Sequence, residues 1–395
     1  MYDILHIRDY YPSPENPASS PWVYDQVRAV QDFGLKPLVI SPTPYVPAFL
    51  RSRGRFYLYP RWHFNVKTWE QTDVIRPMYL KLPTQSATAL NLYNLSRSIT
   101  KSLPRSVSPS LIHAHFGQNG FAALNLKQKL KVPLVTSFYG YDVGRLGSKF
   151  SFFYQKLIPA GERFLVLSTD MQNDLLALGF PAERIRIHHL GIDLDQFSLK
   201  PRSEDGKFIF LIVARLVKSK GAQDVIRAFH RIRKPDQQLR IVGDGIFKAN
   251  LEALAGSLGL QDQVRFINNF KTDNPRQVVI DEMQRCDVAM LTSFSPPNGA
   301  KEGTPVVLME AQACGKPCIS TIHAGIPEVV IDTVSGFLVK ERDIDGIAER
   351  MQQFYCNRDL VRQMGMQGRK HVEEEYNQQI QMKRLVELYR ELGSA

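Results

Sequence analysis

A chain of 395 residues suits two domains of ordinary size, and at 44% hydrophobic and 23% charged residues each half has the material for a core. No apolar run approaches the roughly 18 residues a membrane-spanning helix needs, which argues against an integral helical membrane protein. The four cysteines, Cys286, Cys314, Cys318 and Cys356, have no second close pair and no His-rich neighbourhood, so reduced buried thiols are expected rather than a zinc site. The first ten residues carry Asp3 and Asp9 and no long apolar stretch; no secretory leader is expected, and the expected location is the cytoplasm.

The net charge of +11 is unevenly spread. Residues 1–190 hold 22 Lys/Arg against 12 Asp/Glu, and the rest hold 28 against 27. No acidic residue occurs between Asp73 and Asp142, a span with Arg76, Lys81, Arg97, Lys101, Arg105, Lys127, Lys129 and Lys131. The acid-free stretch Lys36 to Lys67 interleaves Arg51, Arg53, Arg55 and Arg61 with Phe49, Phe56, Tyr57, Tyr59, Trp62 and Phe64. Such a field attracts a polyanionic partner, an anionic membrane surface above all; a solvated face that only aids solubility is the alternative.

In chain order, the predicted elements alternate. Ile4–Ile7 is a strand, Tyr24–Phe33 a helix ended by Gly34, and Lys36–Ile40 a strand stopped by Ser41-Pro42. Ala87–Lys101 has helical spacing. Leu111–Ala114, Leu134–Ser137 and Arg163–Leu167 are short strands, and Gln172–Leu178 is a helix ended by Gly179. The domain boundary is expected near Gly191–Ser203, with Lys200–Gly206 as a linker. In the second half Phe208–Val213 is a continuous apolar run, as in a parallel strand covered on both faces. The helix Ala222–Arg233, the strand Leu239–Val242, the helix Phe247–Leu258 and the strands Val264–Ile267 and Val288–Leu291 follow. The helix Val306–Cys314 leads into the strand Cys318–Thr321, and Glu373–Leu392 reads as one long closing helix. Strands alternating with helices predict α/β domains with parallel sheets.

The most informative stretch is Lys301-Glu302-Gly303-Thr304-Pro305-Val306-Val307-Leu308-Met309-Glu310. Thr304 suits an N-cap and Pro305 a first helical position. Glu302 then lies just ahead of a helix N-terminus, and Glu310 lies about 8 Å along the axis from Pro305. A diphosphate would fit between them, where free N–H groups and the helix dipole favour anions and Gly303 lets backbone come close. An ordinary capped helix with a solvated Glu310 is the alternative. Arg215, past the end of an apolar strand, and Lys220, at the start of the next helix, sit where ligands of open α/β sheets bind and could neutralise a diphosphate; solvated basic residues in a loop are the alternative.

Gly243-Asp244-Gly245 follows a strand, but the third glycine of a dinucleotide fingerprint is replaced by Lys248, which disfavours an oxidoreductase. Asp193-Leu194-Asp195 and Asp343–Asp345 read as structural acids rather than metal ligands. His113 and His115 flank Ala114 at a strand end. Their imidazoles are expected on opposite faces, with His115, nearer the loop, the better candidate to reach a cleft; a histidine satisfied within the core is the alternative. Ser137-Phe138-Tyr139-Gly140-Tyr141-Asp142 ends the next strand in the same way.

Taken together, Val213-Ala214-Arg215-Leu216, Lys220-Gly221, Val242-Gly243-Asp244-Gly245, the E-x7-E from Glu302 to Glu310, Ala313-Cys314-Gly315-Lys316-Pro317 and Gly325-Ile326-Pro327-Glu328 resemble family 4 of the retaining glycosyltransferases. The similarity spans about His113 to Val339 and is nearest to the branch making exopolysaccharides of the colanic-acid type. It implies the GT-B fold: two Rossmann-like α/β domains with parallel sheets facing a central cleft, an acceptor-side domain over 1–190, a donor domain over 191–372, and a closing helix over 373–395 packed back on either domain.

The resemblance further implies that Arg215 and Lys220 grip the donor diphosphate, that Glu302 meets sugar hydroxyls and Glu310 the ribose, that backbone from Gly303 through Thr304 and Pro305 to Val306 caps the phosphates, and that Asn268–Phe270 holds the base, with Gly243 close by. It implies a nucleoside diphosphate sugar as substrate, no cofactor and no metal, a saccharide or lipid-linked saccharide acceptor, and no nucleic acid. Peripheral attachment to the inner membrane face is expected from the basic, aromatic first half. Tyr139-Gly140 stands where many members have His-Gly, so Tyr139 or His115 is expected to take that role. Tyr11–Pro17 replaces a glycine pair common after the first strand. No signal sets an oligomeric state. A sugar-nucleotide epimerase or hydrolase of similar fold and a non-catalytic polyanion-binding protein are the rival readings.

Overall fold

In this computed structural model residues 2–14, 21–45, 63–82, 88–144, 147–200, 206–296, 299 and 301–393 are described. The chain forms two compact units, Met1–His188 with Gln381–Ala395, and His189–Ile380. Residues 46–62 of the basic aromatic stretch, 15–17 of the segment after the first strand, Ala87, and 201–205 of the Lys200–Gly206 segment lie outside the described residues.

The first unit is built on an eight-stranded sheet. Its strands run Ile185–Ile187, Arg163–Val166, Leu134–Ser137, Leu111–His115, Ile4–Ile7, Pro37–Ile40, Thr72–Arg76 and His63–Trp69 across the sheet. All neighbours are parallel except the last pair. The antiparallel edge strand was not anticipated from the sequence. The predicted helix from Tyr24 is an α-helix over Pro21–Ala29 that tightens into a 3-10 turn over Val30–Phe33 before Gly34.

The second unit carries a six-stranded, fully parallel sheet. Its order is Val264–Ile267, Gln237–Val242, Phe208–Val213, Val288–Leu291, Cys318–Thr321, Gly336–Val339. Phe208–Val213 is central, which is why it is apolar at every position. The helix Ala222–Ile232 buries Ala222, Val225, Ile226 and Phe229, a spacing of three and four residues that puts one stripe against the sheet. At about 1.5–3 kcal/mol per fully buried large side chain, this stripe outweighs any local propensity.

The closing segment differs from the single helix read from sequence. One helix ends at Glu375 and another spans Gln378–Gly393. The break has a cause: the Ile192 N–H takes the Tyr376 carbonyl (2.7 Å) and the Gln378 N–H donates to the Ile192 carbonyl (3.0 Å), so both groups leave the helical ladder. The last helix buries Met382, Leu385, Val386 and Tyr389 against Ile4, Leu111 and Leu165 of the first unit. Three cysteines are buried, and Cys356 is exposed.

Gly221 fixes the turn between the central strand and its helix. Its φ is +76°, and a Cβ there would lie 1.9 Å from the Thr292 carbonyl oxygen. Gly256, by contrast, lies in the helix Lys248–Ser257 with its nearest foreign atom 3.9 Å from a built Cβ. Gly221→Ala is therefore expected to cost at least about 2 kcal/mol of stability in guanidinium unfolding. Gly256→Ala is expected to be neutral or to add about 0.5–1 kcal/mol in the same measurement.

Candidate active site

In the second unit every strand ends at the same edge of the sheet, and the side chains of interest follow those ends. Arg215 and Lys220 follow Phe208–Val213, Gly243 follows Gln237–Val242, and Phe270 follows Val264–Ile267. Thr292 and Ser293 follow Val288–Leu291, His323 follows Cys318–Thr321, and Glu341 follows Gly336–Val339. This is the edge at which open parallel sheets bind ligands.

Glu302 and Lys220, 82 residues apart in sequence, meet there. Lys220 Nζ lies 2.5 Å from Glu302 Oε1, and the Ser293 hydroxyl donates to the same oxygen at 2.7 Å. The side chains are 22% and 16% exposed, so the pair is shielded but reachable. Burial pushes the Glu302 pKa up, but the ammonium and the two hydrogen bonds outweigh it, and the net direction is down. The carboxylate is thus ionised at neutral pH. Its contribution to stability is present above the ordinary glutamate range and is lost only as pH falls through the lowered native value.

Immediately after Glu302 comes a set of unused donors. The helix spans Val306–Ala313, with Pro305 rather than Thr304 at the N-cap and no side chain capping it. The expected Thr304 cap is corrected accordingly: the Thr304 hydroxyl is buried and has no partner among the described residues. The Leu308 and Met309 N–H groups bond to the Pro305 carbonyl. Among the described residues no acceptor faces the N–H groups of Gly303, Thr304, Val306 or Val307. Pro305 has none to give. Unpaired N–H groups at a helix start favour an anion, and the Lys220 ammonium is held by the carboxylate of the residue just before them.

Arg215 is exposed, and its guanidinium makes no hydrogen bond or ion pair among the described residues. The loop beneath it is fixed by the Leu216 N–H on the Asp244 carbonyl (2.9 Å). Gly243 has φ +137°, and a Cβ there would lie 2.0 Å from the Ala214 carbonyl, so the glycine is required by backbone crowding at this turn. Phe270 is 58% exposed on a short turn; Asn268 accepts its N–H (3.1 Å) and donates to Asp244 (3.1 Å). Glu310 is partly buried within the helix.

The sequence reading missed Ser293, Ser295, His323 and Glu341. The signal available was positional, since each follows a parallel strand by two to four residues. Asp193 accepts the N–H groups of Asp195 (3.0 Å) and Gln196 (3.1 Å), and Asp343 caps the helix Ile344–Cys356.

In the first unit the expected opposition of His113 and His115 is wrong. Residues two apart on a strand share a face, and the two rings lie 4.3 Å apart. His6, in register with His113 on the neighbouring strand, joins them. His6 Nδ1 is 3.0 Å from His115 Nε2, His115 Nδ1 is 2.7 Å from the Tyr139 hydroxyl, and His113 bonds Ser137 and Tyr389. All three rings are fully buried. Burial depresses the His6 pKa to about 3 and those of His113 and His115 well below the usual value, so the cluster is neutral. His115 itself has no surface; the half-buried Tyr139 is its outlet.

These three imidazoles are also the one group among the described residues able to offer a metal three ligand atoms, which lie within 4.8 Å of one another. Four of their six ring nitrogens belong to the hydrogen-bond chains just described, and a fifth, His115 Nε2, meets His6; only His6 Nε2 has no partner. Asp142 pins the adjoining loop: it accepts the N–H groups of Gly117 (2.8 Å) and Tyr139 (3.0 Å), and burial raises its pKa to about 6.

Two sequence families match in tandem: Glycosyltransferase Family 4 over residues 20–196 and Glycosyl transferases group 1 over residues 195–371. The colanic acid biosynthesis glycosyltransferase WcaL of Escherichia coli is 32% identical over 287 residues, covering 71% of this chain and 70% of that protein. The amylovoran biosynthesis glycosyltransferase AmsK of Erwinia amylovora is 30% identical, covering 83% of each. Among solved structures, Anabaena HepE in complex with UDP superposes with a TM-score of 0.71 at 16% identity over 99% of this chain and all of that one. Sucrose-phosphate synthase from Thermosynechococcus elongatus superposes with a TM-score of 0.79 at 18% identity over the full length of both. The fold is therefore GT-B, and the chain belongs to glycosyltransferase family 4, alongside enzymes of exopolysaccharide biosynthesis.

Proposed function

We propose that this glycosyltransferase moves a hexose-type residue from a nucleoside diphosphate sugar to a lipid-linked or cell-surface saccharide, with retention of anomeric configuration. The observation that carries the donor assignment is the set of unpaired N–H groups over Gly303–Val307 next to the Lys220–Glu302 pair. The diphosphate takes those donors together with Lys220 and Arg215. Glu302 accepts from sugar hydroxyls and Glu310 from the ribose, while Phe270 offers its exposed ring to the base beyond Gly243.

The bond from the anomeric carbon to the diphosphate oxygen breaks as the acceptor oxygen bonds to that carbon on the same face. The departing phosphate oxygen takes the acceptor's proton. Charge grows on the diphosphate as it leaves, and fixed donors aimed at it stabilise that change most. Lys220 and Arg215 supply the positive charge that a metal ion would otherwise supply, so no metal and no cofactor are needed. In the first unit, the acceptor side, Tyr139 backed by His115 replaces the histidine usual in the family. Support for a saccharide acceptor comes from WcaL and AmsK, whose names place them in colanic acid and amylovoran biosynthesis.

No helix among the described residues is long and apolar enough to cross a membrane. The excess of 22 Lys/Arg over 12 Asp/Glu in residues 1–190 supports peripheral attachment at the cytoplasmic membrane face instead.

Glu302→Gln and Lys220→Ala should each lower turnover by about 10²-fold or more while the melting transition survives; near-normal turnover in both contradicts the site. A chelator such as EDTA should leave the wild-type rate unchanged, and donor consumption without acceptor should be a small fraction of the full rate. In vesicle flotation, binding should be stronger to anionic than to neutral vesicles and should fall with salt. Equal binding to both contradicts membrane docking.

A further inference from the structure

Glu302 is held at two ends. Its carboxylate is fixed by Lys220 and Ser293, and its backbone is fixed by a separate device. The Glu302 N–H points at His323 Nε2, 3.2 Å away. A backbone N–H can only donate, so that ring nitrogen carries a lone pair and the proton of His323 sits on Nδ1. Nδ1 lies 2.7 Å from Glu341 Oε1. Glu341 is in turn held by the Ser295 N–H (3.1 Å) and the Ser295 hydroxyl (3.1 Å). Burial would raise the Glu341 pKa, but the Ser295 N–H and His323 more than offset it, and the carboxylate stays ionised.

The His323 side chain is 2% exposed. The part-exposed carboxylate, the buried imidazole and the amide thus form a line with one possible proton arrangement. A carboxylate behind an imidazole fixes which nitrogen is free to accept, as it does behind metal-bound histidines. Its elements come from three neighbouring strand ends: Ser293 and Ser295 after Val288–Leu291, His323 after Cys318–Thr321, and Glu341 after Gly336–Val339. Ser293 and Ser295 share one short loop, so the clamp on the Glu302 carboxylate and the clamp on Glu341 are mechanically one piece. Thr321 ties that loop down by donating to the Ser293 carbonyl at 2.5 Å.

We infer that His323, set by Glu341, is a positioning residue for sugar transfer: it holds the Glu302 backbone so that the carboxylate meets the donor sugar. The inference rests on the role given above to Glu302. His323 meets the Glu302 N–H, Glu341 and Ser295, so its loss is expected to act on the sugar's reaction and not on nucleotide binding.

The test compares three variants with wild type. His323→Leu keeps bulk and removes the acceptor. His323→Gln keeps an acceptor oxygen within reach of the Glu302 N–H. Glu302→Gln reports the underlying reading. His323→Leu is expected to lower kcat about 10–100-fold, with the Kd for a nucleoside diphosphate lacking the sugar changed less than about threefold. His323→Gln should recover most of that loss. In ¹⁵N-histidine NMR of the wild type, His323 should show a protonated Nδ1 and an unprotonated Nε2. Equal losses in Leu and Gln, or the opposite tautomer, overturn the proposal. If instead Glu302→Gln turns over normally, the role given to Glu302 is what has failed.

Discussion

A helix that begins without a cap has to find partners for its first N–H groups, and at the start of the one over Val306–Ala313 those of Val306 and Val307, like those of Gly303 and Thr304 before it, meet none among the described residues. Pro305 sets the entry angle and removes one donor, while Gly303, Thr304, Val306 and Val307 keep theirs. Leaving several donors unpaired in a half-buried position costs about 1–3 kcal/mol for each group that water cannot reach. Such a cost persists where a ligand offsets it, and here an ammonium 2.5 Å from a carboxylate stands next to the gap. The parallel sheet is what makes this possible. All six strands deliver their loops to one edge, so residues as distant in sequence as Lys220, Ser293, Glu302, His323 and Glu341 share one network.

The first unit solves a different problem. Three imidazoles sit on one face of adjacent strands, and burial keeps them neutral. A neutral imidazole can pass a hydrogen bond from one nitrogen to the other, and the line from His6 through His115 to Tyr139 does so. Tyr139 therefore has a fixed hydroxyl. Burial raises its pKa further, so the group acts as a neutral phenol and never as a phenolate at physiological pH. Tyr389 binds His113 from the last helix, which gives that helix a polar anchor in addition to its apolar stripe.

Much of this was legible in the sequence where apolar runs were uninterrupted. Phe208–Val213, Val264–Ile267, Val288–Leu291 and Cys318–Thr321 stand as read, because the central strands Phe208–Val213 and Val288–Leu291 are wholly apolar and the other two keep most of their apolar positions. Helices with mixed faces escaped: Gly117–Leu130 opens on two glycines and carries a weak stripe, and Pro275–Arg285 is mostly polar. The edge strand His63–Trp69 has one neighbour and alternates polar with apolar residues, so it lacks a continuous apolar run. For the site, Glu302 and Lys220 were found because their spacing carries a recognisable pattern. Their mutual contact was not, since it depends on the order of strands in the sheet. His323 and Glu341 carried only the positional signal of standing two residues past a strand, and the error over His113 and His115 came from misapplying a period of two.

The central claim is that the start of the helix at Val306 holds a pyrophosphate. A crystal structure of the protein with a bound nucleoside diphosphate tests it most directly. The account requires phosphate oxygens within about 3 Å of the N–H groups of Thr304, Val306 or Val307 and of Lys220 Nζ. A diphosphate bound anywhere else, with those N–H groups still unpaired, would contradict it.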